Sequence, residues 1–266
     1  MGNGIFVIGE RYRGLLKPPL KRLGVKVLWL PANPNVSPFL AGHADLSVFC
    51  ADARDLPATL SGLPSDGAER HGPKVFLAPY LRGTEFESGL AGPGLKPEII
   101  NEPQGKTYPR DVPLNICLTG GAVIANRKTA SPTVIRSLEA DGYRIVNVKQ
   151  GYPACATLVC GGDAVISADP GICSAAESAG LDVLRIAPGY IDLPGFDTGF
   201  IGGCAFMPKS DAMAFTGSLK EHSDGQRIKA FLKNRGIKAV QLTEGPLLDI
   251  GGAVRLPVEK GDPDED

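Results

Sequence analysis

The chain has three histidines, which can move a proton near neutral pH, and six cysteines, which can attack as thiolates, in 266 residues. His43-Ala-Asp45 places two polar side chains on one face of an extended segment, because side chains alternate along a strand. The pair could join a general acid or base to a carboxylate. It could equally be a turn at a strand start, with Asp45 bonding nearby backbone. Cys155 follows Gly151-Tyr152-Pro153 and opens an apolar run. It is a candidate nucleophile through its thiolate form, although the commoner use of a free cysteine is as a small buried residue. Asp197 and Asp249 stand at or just before apolar runs of their own, and Asn115 holds the matching place in another. Each could line a shared site or satisfy the N–H groups of a turn. His222-Ser-Asp224 reads first as a helix start with Asp224 as N-cap. A metal site from His43, Asp45, His222 and Asp224 is conceivable, but no further His or Cys pattern accompanies it, so no metal is expected. Tyr152 and Phe200 could wall a site or pack internally.

The elements that must position these residues are clearest over Lys149–Gly203. Cys155–Cys160 reads as an apolar strand, Gly161-Gly162 as a hairpin turn, and Asp163–Ala168 as the returning strand. Asp169-Pro170 opens a helix over Gly171–Ala179, Gly180 closes it, and Leu181–Ile186 is a third strand. The unit is strand–strand–helix–strand.

The junction of helix, glycine and strand recurs at Gly24, Gly94, Gly142, Gly180 and Gly236, which implies a divergent five-fold repeat. The other units are predicted as Asp45–Cys50 with Lys74–Ala78, Leu114–Leu118 with Ala122–Ala125, and Phe200–Met207 with Ala212–Thr216. Their helices are Tyr80–Gly94, Pro132–Ala140 and Gly225–Arg235, and a Pro/Gly-rich insertion spans Ala51–Pro73. At the N-terminus, strand Gly4–Ile8 leads into a helix over Arg11–Leu23, broken early by Pro18-Pro19. That unit has no first strand, whereas Leu247–Leu256 is a first strand with no helix after it. Joining the two completes a fifth unit from both chain ends and removes the open strand edges. The expectation is a single α/β domain over residues 1–257, followed by a disordered acidic tail, Val258–Asp266.

The formal net charge of −1 argues against a nucleic-acid or anionic-membrane partner. The longest apolar runs fall short of a membrane-spanning helix, and the first residues lack a signal-peptide pattern. The cysteines lack CxxC spacing and read as reduced, which suits the cytoplasm.

Five such units closed by the termini resemble the guanidine-modifying-enzyme, or pentein, fold. GHADL (Gly42–Leu46), KQGYPAC (Lys149–Cys155), GYIDLPGFDTGFIGG (Gly189–Gly203), HSDGQRIKAFL (His222–Leu232) and LLDIGG (Leu247–Gly252) are similar to a bacterial family assigned to it. The resemblance implies arginine deiminases, dimethylarginine hydrolases, amidinotransferases and translation initiation factor 6 as distant relatives. Catalytic members attack a guanidinium carbon with a Cys thiolate, use a His as acid and base, and grip the cation with carboxylates. Their Cys lies near the C-terminus, where this chain has Asp249-Ile-Gly-Gly-Ala-Val-Arg and no cysteine. Cys155 is then the substitute nucleophile and His43 the acid/base. Asp45, Asp197 and Asp249 become the cation-binding carboxylates, with Asn115 beside them. The implied substrate is a small guanidino compound, and no cofactor is needed. The missing C-terminal cysteine also fits the other branch of the resemblance, a non-catalytic pentein that binds a protein or ribosomal partner.

Overall fold

The computed structural model describes residues 4–52 and 72–258. Most of the insertion predicted over Ala51–Pro73, and all of the tail beyond Val258, lie outside the described residues.

Five three-stranded sheets share one topology. In each, a first strand pairs antiparallel with a second, and the second pairs parallel with a third after a crossover. The second unit is β3 (Val48–Ala51), β4 (Lys74–Leu77), α2 (Glu85–Gly89) and β5 (Pro97–Ile99). The third is β6 (Cys117–Leu118), β7 (Ala122–Ala125), α3 (Pro132–Ala140) and β8 (Arg144–Asn147). The fourth is β9 (Thr157–Val159), β10 (Ala164–Ser167), α5 (Pro170–Ser178) and β11 (Asp182–Arg185), preceded by a helical turn, α4 (Pro153–Ala156). The fifth is β13 (Ala205–Lys209), β14 (Ala212–Phe215), α6 (Gly225–Lys233) and β15 (Lys238–Gln241). The remaining unit combines the chain ends: β17 (Val254–Pro257) pairs with β1 (Gly4–Gly9), which runs through α1 (Arg13–Arg22) to β2 (Lys26–Leu30). The closure expected from sequence is present.

The apolar core shows how the units are arranged. It divides into clusters that each bridge two neighbours: first with second, second with third, third with fourth, fourth with fifth, and fifth back to first. That pairing is cyclic, so the sheets form a closed ring. All five first strands contribute walls to one cavity of about 540 Å³ in the middle, including Val48, Leu118, Val159, Met207 and Val254. The glycines that mark the repeat all take the left-handed conformation, with φ of 69° at Gly24, 79° at Gly94, 85° at Gly142, 84° at Gly180 and 69° at Gly236. They let each helix stop sharply and turn into its third strand.

Several elements differ from the sequence expectation. Helix α1 runs straight through Pro18 and Pro19. The carbonyl facing the Pro18 ring belongs to exposed Gly14, and Leu16, Pro19 and Leu20 are buried on one face, so packing outweighs the lost backbone bonds. The strand predicted to begin at Cys155 begins at Thr157. Pro153 instead starts a helical turn in which the Ala156 N–H donates to the Tyr152 carbonyl. Asp45 lies in a 3-10 turn, Ala44–Leu46, ahead of its strand rather than within it. Leu247–Leu256 is two strands: β16 (Leu247–Leu248) pairs parallel with β12 (Ile191–Asp192), and β17 follows a bend at Gly251 and Gly252. Among the described residues, no helix is long and apolar enough to cross a membrane.

Leu256 is fully buried at the joint between first and second units. Leu256→Ala is expected to cost about 2–5 kcal/mol in denaturant unfolding. Truncation after Ala253 should abolish the cooperative thermal transition, whereas removal of residues 259–266 should leave it unchanged. A full-strength melt without β17 would show that the termini do not close the ring.

Candidate active site

The chain bends just ahead of the first strands, and these bends meet at one end of the cavity. The 3-10 turn Ala44–Leu46 brings Asp45 there, and its N–H donates to the Gly251 carbonyl at 3.3 Å. Gln104, from a distant loop, donates to the Leu46 carbonyl at 2.6 Å and holds the turn in place. Helical turn α4 delivers Cys155, and Asn115 anchors that turn by accepting from the Ala154 N–H at 2.8 Å. The bend after β16 delivers Asp249.

Four predicted site residues converge directly. The Cys155 thiol donates to Asp45 Oδ2 at 2.6 Å, and Asn115 Nδ2 donates to Cys155 Sγ at 3.2 Å. One ligand atom each from His43, Asp45 and Cys155 lies within 4.8 Å of the other two. Behind them, His43 Nδ1 stands 4.0 Å from Asp249 Oδ1. Asp249 is fully buried and accepts from the Phe200 N–H at 2.8 Å and the Gly251 N–H at 2.9 Å. Asp197 is elsewhere: it is exposed on the loop after β12 and joins none of these bonds. His222 and Asp224 form a separate pair at the start of α6. There His222 Nδ1 accepts from the Asp224 N–H, and Asp224 accepts from the Ala187 N–H at 2.6 Å. The four-residue metal set considered from sequence is therefore not assembled.

Glycines make this convergence sterically possible. A Cβ on Gly203 would collide with Asp249 Oδ1, one on Gly251 with the His43 backbone, and one on Gly202 with the carbonyls of Ala154 and Thr157. The GFDTGFIGG segment thus supplies the space around Asp249 rather than a carboxylate from Asp197. Gly202, Gly203 and Gln104 shape this cluster and are positions that residue chemistry alone did not single out. The glycine spacing was the available signal for the first two.

Burial governs the electrostatics. It pushes Asp45 up to about 8 from the ordinary 3.8, with the charge of Asp249 adding to the rise and the bonds from Cys155 and Asn115 opposing it. Burial also raises the Cys155 thiol well above its usual range, reinforced by Asp45 and Asp249. His43 is lowered from 6.5 by burial, against the pull of Asp249. At neutral pH the trio is therefore a carboxylic acid, a thiol and a neutral imidazole. Two of its polar atoms, His43 Nε2 and Asp45 Oδ1, are buried without a partner, at a cost of about 1–3 kcal/mol each. No Lys or Arg among the described residues forms an ion pair with Asp45 or Asp249. Val36, Leu40, Leu46, Val112 and Leu193 form an apolar cluster that packs with Tyr152. The Tyr152 ring stacks on Phe200 at 6.2 Å, and its hydroxyl donates to Asp111 at 2.6 Å. Asp45 itself also lines the central cavity.

The chain belongs to DUF6873, a family of unknown function, whose family model matches residues 76–254. No curated protein matches the chain. Among solved structures, it is similar to a dimethylarginine dimethylaminohydrolase, determined as an adduct with 4-chloro-2-hydroxymethylpyridine. Identity is 12% and the TM-score 0.50, over 96% of this chain and 100% of that one. A C. jejuni agmatine deiminase matches at 8% identity and a TM-score of 0.49, over 90% of this chain and 87% of that one. The fold is that of the penteins.

Two outcomes follow from the geometry. Gly203→Ala should destabilise by about 1–3 kcal/mol through overpacking against Asp249, whereas Gly14→Ala, with open space around it, should be neutral or stabilising. The second concerns Asp45. A carboxyl whose folded-state pKa is raised leaves stability intact below about 4 and erodes it as pH climbs to about 8. The slope is at most about 1.4 kcal/mol per pH unit. His43 acts oppositely below 6.5, so the informative quantity is wild type minus Asp45→Asn. Urea unfolding should show Asp45→Asn gaining on wild type between pH 5 and pH 8. An equal gap at both values would mean that Asp45 is ionised in the folded protein.

Proposed function

We propose that this DUF6873 member modifies an amidino or guanidino group on a small molecule. Cys155 is the nucleophile, His43 the acid and base, and Asp45 the carboxylate that holds the cation. One observation carries this reading: Asp45 Oδ1 and His43 Nε2 are buried without partners beside a thiol, Asp45 lines the central cavity, and among the described residues no Lys or Arg forms an ion pair with Asp45. A planar amidinium supplies what those atoms lack. Its N–H groups suit a carboxylate, and its charge favours ionisation of both Asp45 and Cys155. The low reactivity of a buried thiol is then lifted by the substrate itself. Asp249, with both oxygens committed to backbone N–H groups, orients His43 in this scheme rather than touching substrate.

The chemistry balances without a cofactor. The Cys155 sulfur adds to the amidino carbon while its proton passes to His43. His43 returns the proton to the departing nitrogen, leaving an S-linked amidinium on Cys155. Water, deprotonated by His43, adds to the same carbon and the thiol departs, so one C–N bond is hydrolysed. An amine in place of water gives amidino transfer.

Competing alkylation tests this reading. Chloroacetamidine, which is cationic, should label Cys155 in the folded protein faster than neutral iodoacetamide does, and Asp45→Asn should remove that preference. Cys50, only partly buried in β3, serves as the internal comparison with no such bias. Arginine, agmatine and methylated arginines should then be screened for released ammonia, amine or urea-type product. His43→Asn should slow turnover ~10²–10⁴-fold. Cys155 inert to both reagents in the folded state, with none of these compounds turned over, would leave a binding role as the better reading, and turnover surviving in Cys155→Ala would show that Cys155 is not the nucleophile.

A further inference from the structure

We propose that His43, Asp45 and Cys155 form a transition-metal site, best suited to zinc, with its free position facing the central cavity. The donors are one imidazole, one carboxylate and one thiol, carried by two bends of the chain far apart in sequence and lying within 4.8 Å of one another. Two of them present atoms that nothing else satisfies, His43 Nε2 and Asp45 Oδ1. The other ring nitrogen, His43 Nδ1, faces Asp249 at 4.0 Å. Asp249 is itself fixed by the Phe200 and Gly251 N–H groups. A carboxylate behind a metal-binding imidazole sets its tautomer and aims the far nitrogen at the ion.

The donor set selects the metal. A thiolate and an imidazole favour zinc or its neighbours, whereas calcium and magnesium require oxygen ligands throughout. Zinc bonds of about 2.0–2.3 Å in a tetrahedral arrangement put donors about 3.3–3.8 Å apart. The trio reaches that spacing if the Asp45–Cys155 hydrogen bond opens and His43 moves inward by about an ångström. Three protein ligands leave a fourth position, and Asp45 lines the cavity, so water or a small anion can complete the shell. The proposal is independent of the thiol reaction above. Because the ion would take the sulfur that the reaction uses, metal-bound and alkylatable states exclude each other.

Cobalt titration of the full-length protein, first stripped with chelator, provides the readout. One equivalent of Co²⁺ should bring a sulfur-to-cobalt charge-transfer band in the near ultraviolet and the intense visible bands of a tetrahedral ion. Zn²⁺ should bleach both and shield Cys155 from chloroacetamidine. Cys155→Ser should lose the charge-transfer band. Asp249→Asn, a change to a positioning residue, should weaken binding about 10–100-fold while keeping the band shape. His222→Gln, which alters the other buried histidine with an unpartnered Nε2, should change nothing. Failure of folded wild-type protein to bind either ion at micromolar concentration, or a charge-transfer band surviving in Cys155→Ser, would overturn the site whatever the variants' stability. Amidine labelling of Cys155 without zinc protection defeats the metal site and leaves the reaction standing. Metal binding with an inert Cys155 does the reverse.

Discussion

Five strands can wall one channel only if the chain bends sharply ahead of them, and this constraint organises the molecule. The bends here are a 3-10 turn at Ala44–Leu46, the helical turn at Pro153–Ala156, a second 3-10 turn at Gly202–Cys204, and left-handed glycines at 251 and 252. They touch through backbone: Ile250 and Gly252 N–H groups both donate to the Gly203 carbonyl at 2.9 Å, and the Asp45 N–H reaches Gly251. Once main chains approach so closely, only glycine fits at the tightest points. The side chains that do leave these bends, His43, Asp45, Asn115, Cys155 and Asp249, are directed at one another. A polar cluster at the end of the channel is thus a consequence of closing the ring.

That cluster holds two carboxyl side chains and one imidazole, and among the described residues no Lys or Arg forms an ion pair with either carboxyl. Burial in such a setting disfavours charge, and it raises both Asp45 and Cys155. The neutral state is stable but leaves Asp45 Oδ1 and His43 Nε2 unmet. A positive guest removes both costs at once. An amidinium and a zinc ion are two answers to the same demand: the first uses the thiol as a nucleophile, the second as a ligand. In both proposals the ring, the glycines and the carboxylates together shape a place for a cation.

The ring was readable because it follows from local rules. A glycine after each helix must take a left-handed conformation to start the third strand, and the five glycines that do so fall at the repeat junctions. The unmatched strands at the two ends then had one economical solution, which β17 and β1 adopt. The bends ahead of the first strands are not legible in the same way. Apolar runs such as CATLVC look continuous in one dimension, whereas Pro153 and the backbone contacts of α4 turn their first residues into helix. The meeting of Cys155 with Asp45 depends on that helical turn, since a side chain there points differently from one on a strand. The association of Asp249 with His43 bridges more than two hundred residues of chain and leaves no periodic trace. Asp197, a candidate because it stands just before an apolar run, is exposed on the surface, and the neighbouring glycines make room around Asp249.

The most direct measurement of the central claim is a crystal structure of metal-free protein soaked with an unreactive alkylamidinium. The expected density places the amidinium plane against Asp45 Oδ1, with its central carbon about 3–3.5 Å from Cys155 Sγ and His43 Nε2 within reach of one nitrogen. Density for the amidinium only outside the cluster at saturating concentration, with Asp45 still bonded to the Cys155 thiol and Oδ1 still unpartnered, would contradict it.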